Sequence, residues 1–376
     1  MALRRILNKL FIASMAFGLA GVSFAQDSAT FDAQQGAWRL YYQDTETAQW
    51  VSKTYVQQNA IKPSIITVLR WNGQQFSYHY RVNNRRDAKQ AIDTIRIWGI
   101  PLVYPVPDLP PITADIKKDT EGWTHQNWAQ LTVKRKFQNE VVKAPKGWDG
   151  GLRVDAKANQ TSFVWTPGLK DTDPDGIAPG SHQNGFAVLR PELPGVARAK
   201  LTGSTEEPWG LDNLPDTPFW SQKVDEIQDQ DFLLVPVLAP VIVVPQPYNG
   251  AELARRLKVH TQTWLKYGHI NAEVLDRLNR QFDALIPALE GNNKAAARAA
   301  AIEMFKEVFG HHRGLNHHKL SEDDDNQAAE AMPPKHAGRS VTASAQPSQS
   351  VAVHRVAARA LAFNLMYLLT RMEIGR

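Results

Sequence analysis

The sequence predicts a β + α protein of two domains: an N-terminal antiparallel β-sandwich of immunoglobulin-like type, followed by a helical hairpin within a small bundle. Three observations carry this expectation. Apolar residues alternate with period two over much of Ala37 to Leu201. Beyond Ala251 their spacing changes to three and four residues. Between the two lies a run punctuated by Pro236, Pro240, Pro245 and Pro247. A period of two places alternate side chains on one face of a strand, and a period near 3.6 places them on one stripe of a helix.

Residues 1–25 belong to neither domain. Arg4, Arg5 and Lys9 precede the apolar run Leu10 to Val22, and Ser23-Phe24-Ala25 offers small residues at a cleavage point. This is the pattern of a signal peptide with Gln26 as the mature start. The apolar run is shorter than the roughly 20 residues that span a bilayer. Export to the periplasm or the extracellular space is expected, with no transmembrane segment after cleavage. Removing three basic residues from 43 Lys+Arg leaves 40 against 38 Asp+Glu. The pI near 9.2 therefore overstates the mature charge, and nucleic acid is not an expected partner. Cysteine is absent from all 376 residues, which excludes thiol catalysis and Cys-ligated metals. Burial alone must hold the fold, and this length suffices for two cores.

The sandwich is assigned to residues 26–203. Ala37 to Tyr42 reads as an aromatic strand, and Ile65 to Trp71 as another, closed by the hairpin signal Asn72-Gly73. Gln75 to Val82 alternates cleanly, with Phe76, Tyr78, Tyr80 and Val82 on one side. Ala91 to Ile100 is β-rich and ends at Pro101, before a segment of prolines reaching Pro111. Leu131 to Phe137 alternates again, with Arg135 interrupting its apolar side. Phe163 to Gly203 supplies three strands separated by an acidic loop and Pro-Gly turns. Nothing alternates strand with helix, which argues against a doubly wound α/β enzyme.

Residues 204–250 read as a Pro-rich connector. Within it, Phe232 to Val244 is apolar but holds Pro236 and Pro240, so an extended edge strand is expected and not a membrane helix. Residues 251–309 form the helical hairpin region. Leu253, Leu257 and Trp264 open a helical stripe, and Asn271 is placed to cap the next helix. Leu275, Leu278, Phe282, Leu285, Ile286 and Leu289 continue it. Gly291-Asn292 turns the chain into an Ala-rich helix with Ile302, Phe305, Val308 and Phe309 facing in. Residues 310–350 have the composition of a disordered insert. Residues 351–376 return as a helix whose packing side is Val353, Ala357, Leu361, Leu365, Leu368 and Met372.

The order of Trp165, Gly176-Ile177-Ala178-Pro179-Gly180, Gly185-Phe186 and Leu193-Pro194-Gly195 resembles secreted bacterial β-sandwich proteins of unassigned function. Leu289-Glu290-Gly291-Asn292-Asn293-Lys294, followed by Phe305 and Val308, is similar to the FIVAR-like helical hairpin appended to such proteins. The resemblance implies an extracellular or periplasmic interaction module and carries no catalytic residue. The chain departs from that pattern in the 310–350 insert and in the prolines after Ile100.

Two segments offer cation ligands. Asp171, Asp173 and Asp175 before Gly176 match the first half of a calcium loop, but the closing position holds His182 where a bidentate Glu belongs. A solvated turn is the plainer reading. His311, His312, His317 and His318, followed by acidic residues, could chelate zinc, copper or nickel from a flexible segment; a solvated polar tail is the plainer reading. No cofactor is expected, and a weakly held divalent cation is the one inorganic partner offered. Ten of eleven Trp residues precede Ser221. Trp38, Trp71, Trp98 and Trp165 lie in predicted strands and are read as core. Trp123, Trp128 and Trp148 lie in Gly-, Asn- and Lys-rich loops, where exposed rings could stack on a sugar. No nucleophile elbow, P-loop, dinucleotide pattern or HExxH occurs. The expected function is non-enzymatic binding of an envelope protein or glycan. Carbohydrate binding through loop Trp residues is the alternative, and metal capture by the His/acidic insert a further one.

Overall fold

A computed structural model describes residues 26–71, 75–101, 141–155, 160–168, 176–204, 211, 213–310 and 353–374. These form three antiparallel sheets and five helices. The chain divides into two compact units, one of Met1–Gln57 with Glu207–Ile227, the other of Gln58–Glu206 with Gln228–Arg376. The units interleave along the chain: of the residues assigned to the sandwich, those up to Gln57 fall in the first unit and those from Gln58 in the second. Among the described residues, no helix is long and apolar enough to cross a membrane.

The first unit holds a three-stranded sheet, β1 (Ser28–Asp32), β2 (Ala37–Gln43) and β3 (Trp50–Val56), in that order. Helix α1 (Pro218–Gln230) comes from the segment expected to be a plain connector. Alternation along β2 buries Trp38, Leu40 and Tyr42, and α1 adds Trp220 and Ile227 to the same cluster. Tyr42 meets Trp220 edge to face, with centroids 5.6 Å apart. Three strands alone cannot close a core, and two large side chains from a distant helix supply the missing side.

The second unit contains two sheets. One has the order β4 (Pro63–Trp71), β5 (Phe76–Asn84), β10 (His182–Arg190), β7 (Val142–Lys143). The other runs β12 (Leu233–Ile242), β11 (Leu193–Gly203), β6 (Ile92–Pro101), β9 (Gln160–Pro167), β8 (Trp148–Asp155). Aromatic rings join them: Trp165 of β9 packs on Tyr80 at 5.9 Å and on Phe186 at 5.7 Å. Pro236 and Pro240 sit in β12 at the edge of its sheet, the position open to residues without an N–H. The Gly176-Ile177 turn is fixed by a two-way backbone bridge between Ile177 and Ile92. Gly176 has φ +121°, and a Cβ there would lie 2.4 Å from the Ile92 carbonyl oxygen, so this glycine is required by the backbone alone. A fully buried ion pair, Arg190–Glu192 at 2.8 Å, braces the β10–β11 corner.

Four helices follow: α2 (Gly250–Lys266), α3 (Ala272–Glu290), α4 (Lys294–Gly310) and α5 (Arg355–Ile374). Asn249 and Asn271 cap α2 and α3 through their side chains. In α4 the buried residues are Ala297, Ala300, Ala301, Met304 and Val308, whereas Ile302 points outward at 41% exposure. That corrects its expected inward place: the Ala side of α4 permits close helix approach and turns Ile302 away. The helices do not form a separate bundle core. Leu257, Leu278 and Leu361 belong to one apolar cluster with Tyr78, Ile97 and Leu201 of the sheets.

The join is made at the start of β11. Over Pro194 to Val196 this strand has β12 on one side, while its pairing to β6 begins only at Arg198. Helices satisfy the backbone there. The Val196 N–H donates to His260 Nε2 of α2 at 3.0 Å, and Asn364 Nδ2 of α5 donates to the Pro194 carbonyl at 2.6 Å. Gly195 lies between them, and a Cβ on it would stand 2.6 Å from His260 Nε2. The Leu193-Pro194-Gly195 motif is thus a docking point for two helices.

His260 must be neutral to accept from Val196. Burial pushes its pKa down to about 4. His269 is pushed down to about 3, by burial first, then by His354, Arg198 and His260. Between these values and the ordinary 6.5, the unfolded chain takes up protons that the folded chain refuses. Stability is therefore complete above pH 6.5 and falls as pH drops, by up to about 1.4 kcal/mol per unit for each ring. Urea unfolding from pH 7.5 to pH 5 should show a falling midpoint. His260→Phe should lower stability at pH 7.5 by about 1–3 kcal/mol, through the orphaned Val196 N–H, and flatten the pH dependence. A wild-type midpoint that does not move over this range contradicts the assignment.

Candidate functional site

The strands of the five-stranded sheet point Ile95 and Ile97 of β6, and Ala199 and Leu201 of β11, into the core. Their alternate neighbours necessarily face the other way. These are Thr94, Arg96 and Trp98 on β6, and Arg198, Lys200 and Thr202 on β11. Register sets them in direct opposition: Lys200 against Arg96, Arg198 against Trp98, Thr202 against Thr94. β8 contributes exposed Arg153, paired with Ser162 of β9, whose Oγ accepts from Arg96 Nε at 3.2 Å.

Like charges directly opposed across a ladder destabilise a sheet. Both groups have lowered pKa values, with burial as the first cause. The Arg96 pKa is lowered by burial and then by Arg153. The Lys200 pKa is lowered by burial and then by Arg96, with Asp231 and Asp229 acting in the opposite sense. The ion pairs of the described residues lie elsewhere, as at Arg39–Asp32 and Lys62–Asp87. These cations rest on aromatic rings instead. Arg96 and Arg198 lie 6.0 and 5.8 Å from the Trp98 ring centroid, Arg198 is 4.1 Å from Tyr267, and Lys200 is 3.9 Å from Phe232. A ring quadrupole holds a cation in place without neutralising it.

Comparison with protein families, with curated proteins and with solved structures finds no match to this chain.

Of the residues expected to act, only Trp148 lies among the described residues. Trp148 is buried at 6% exposure at the start of β8, with its ring edge to face against Phe186 at 5.0 Å. It is a core residue, because the Gly-rich run after it is a strand and not a loop. Trp71, expected in the core, ends β4 with 55% exposure. Trp123, Trp128, Asp171, Asp173, Asp175, His311, His312, His317 and His318 lie outside the described residues. Among the described residues, no three His, Asp or Glu side chains come together to hold a metal ion. The sequence did signal the cationic side, in the alternations Ile95-Arg96-Ile97-Trp98 and Ala197-Arg198-Ala199-Lys200. Trp98 was expected in the core because strand Trp residues usually are. It is half-buried on the outward side.

The first unit presents a different outward feature. Tyr41 and Trp50 are 36% and 39% exposed, with rings stacked 5.1 Å apart at 22°.

The opposition of Lys200 and Arg96 has a thermodynamic consequence. Lys200→Thr should raise stability by up to about 1 kcal/mol at low salt, and the gain should shrink as salt screens the pair. Urea midpoints at two ionic strengths measure this. A loss of stability at both contradicts the claim of mutual repulsion.

Proposed function

We propose that the protein is an exported, non-enzymatic binding module of the bacterial envelope or extracellular space, and that it takes an anionic ligand on the outward side of the five-stranded sheet. One observation carries the reading: Arg96, Arg198 and Lys200 stand together on one side of the sheet, Lys200 directly opposite Arg96, with aromatic rings beneath them. Residues 1–25 support export. The Tyr80–Trp165–Phe186 ring contacts support the finer view that the two sheets of the second unit pack as a β-sandwich. The absence of catalytic motifs from the sequence supports a role in binding.

The chain from Gln26 onward should be retained on carboxylated and phosphorylated resins and released by salt. Arg198→Glu with Lys200→Glu should weaken retention by about tenfold or more in apparent affinity. Equal retention of the variant overturns the reading.

A second reading is favoured by the Tyr41–Trp50 pair, whose exposed rings suit stacking on a sugar. It stands beside the carbohydrate proposal at Trp123 and Trp128, from which buried Trp148 drops out. Trp50→Ala should abolish any neutral-glycan binding seen on an array; binding that survives the change removes this pair from consideration. Divalent-cation capture by the acidic loop and the His insert is a separate proposal.

A further inference from the structure

We propose that the anion bound on this sheet is a carboxylated polysaccharide, a linear polyuronate, and not a compact anion or a nucleic acid. The inference rests on the anion-binding reading above and specifies its ligand from the layout of the cations.

The charges are spread out. Arg153, Arg96 and Lys200 stand on β8, β6 and β11, with β9 between the first two. Neighbouring strands lie about 4.8 Å apart, so this oblique row crosses about 14 Å of sheet, and Arg153 and Arg198 are each displaced by two residues, about 6.7 Å, along the strands from the directly opposed Arg96 and Lys200. A single phosphate or carboxylate binds where donors converge on one point. Donors laid side by side on a pleated surface match a chain that carries its charges at intervals. Guanidinium groups also match the planar carboxylate in two-point contact.

The aromatic rings decide between polymers. Trp98, Tyr267 and Phe232 each have a cation over them, at 5.8, 4.1 and 3.9 Å. Their role is to anchor the cations. Single-stranded nucleic-acid sites instead leave aromatic rings open for bases to stack on.

Carboxylates near the cations decide the charge density. Exposed Asp229 acts on Lys200, and so does Asp231, which is buried and accepts from the Gln58 N–H at 2.9 Å. Asp93 accepts from Thr202 Oγ1 at 2.9 Å on the same sheet. Negative charge at these positions disfavours a densely charged phosphate chain more than a sugar chain that bears one charge per ring.

The test uses the chain from Gln26 onward and oligogalacturonates of increasing length as probes, with fully methyl-esterified oligomers, polyphosphate and single-stranded DNA for comparison. Affinity should rise with oligogalacturonate length until the oligomer spans the row, then level off. Esterification should abolish it. Arg96→Gln with Lys200→Gln should weaken it about tenfold, while Lys306→Gln, a cation on α4 paired with Glu303, should leave it unchanged. Polyphosphate or DNA binding as tightly at matched charge, or a monomeric uronate binding as well as a long oligomer, overturns the polyuronate and leaves the anion reading standing. No binding of any anionic probe, or binding indifferent to the Arg96/Lys200 change, overturns both.

Discussion

The second unit depends on the backbone of β11 between Pro194 and Val196, where a sheet hands its unpaired groups to helices. An open strand edge exposes N–H and C=O groups that must find partners. Here His260 accepts one and Asn364 donates to another, from helices far apart in sequence. The bare Cα of Gly195 makes room for the imidazole. The start of α5 is tied in as well, by the Ile270–Val353 bridge and by the His354 N–H donating to the His269 carbonyl at 2.6 Å. Sheets and helices therefore share one core, although the sequence patterns of the two halves look independent.

The same strand builds the candidate site. Its inward residues, Ala199 and Leu201, are fully buried, and that burial fixes which way Arg198 and Lys200 point. A register slip of one residue would send both cations into the core. Pairing with β6 then forces Lys200 against Arg96, an arrangement that core packing does not require. Like charges opposed across a ladder cost stability, and such a local conflict is the pattern expected where a surface is kept for a ligand.

Much of the fold was legible where burial follows a simple period. Phe76, Tyr78, Tyr80 and Val82 are all buried, as their alternation requires, and Asn271 caps α3 as its position before the apolar stripe requires. The edge strand at β12 was readable from its prolines. Helix α1 was not, because its segment is mostly polar and only Trp220 and Ile227 are buried. Trp148 was misplaced because Gly150 and Gly151 look like loop residues. At Gly150 a Cβ would stand 3.1 Å from Val142 and 3.3 Å from Trp165, so close packing and not flexibility explains that glycine. The site itself was hidden for a different reason. Arg96 and Lys200 are more than a hundred positions apart, and only strand register makes them neighbours.

Native-state hydrogen exchange on the chain from Gln26 onward tests most directly whether β11 unites the sheets and helices of the second unit. The account predicts that the slowest amides of β11 and of α5 open with the same free energy and the same dependence on denaturant, as parts of one cooperative transition. Helices α2 to α5 exchanging through a separate, lower-energy opening, while β11 stays protected, would contradict it.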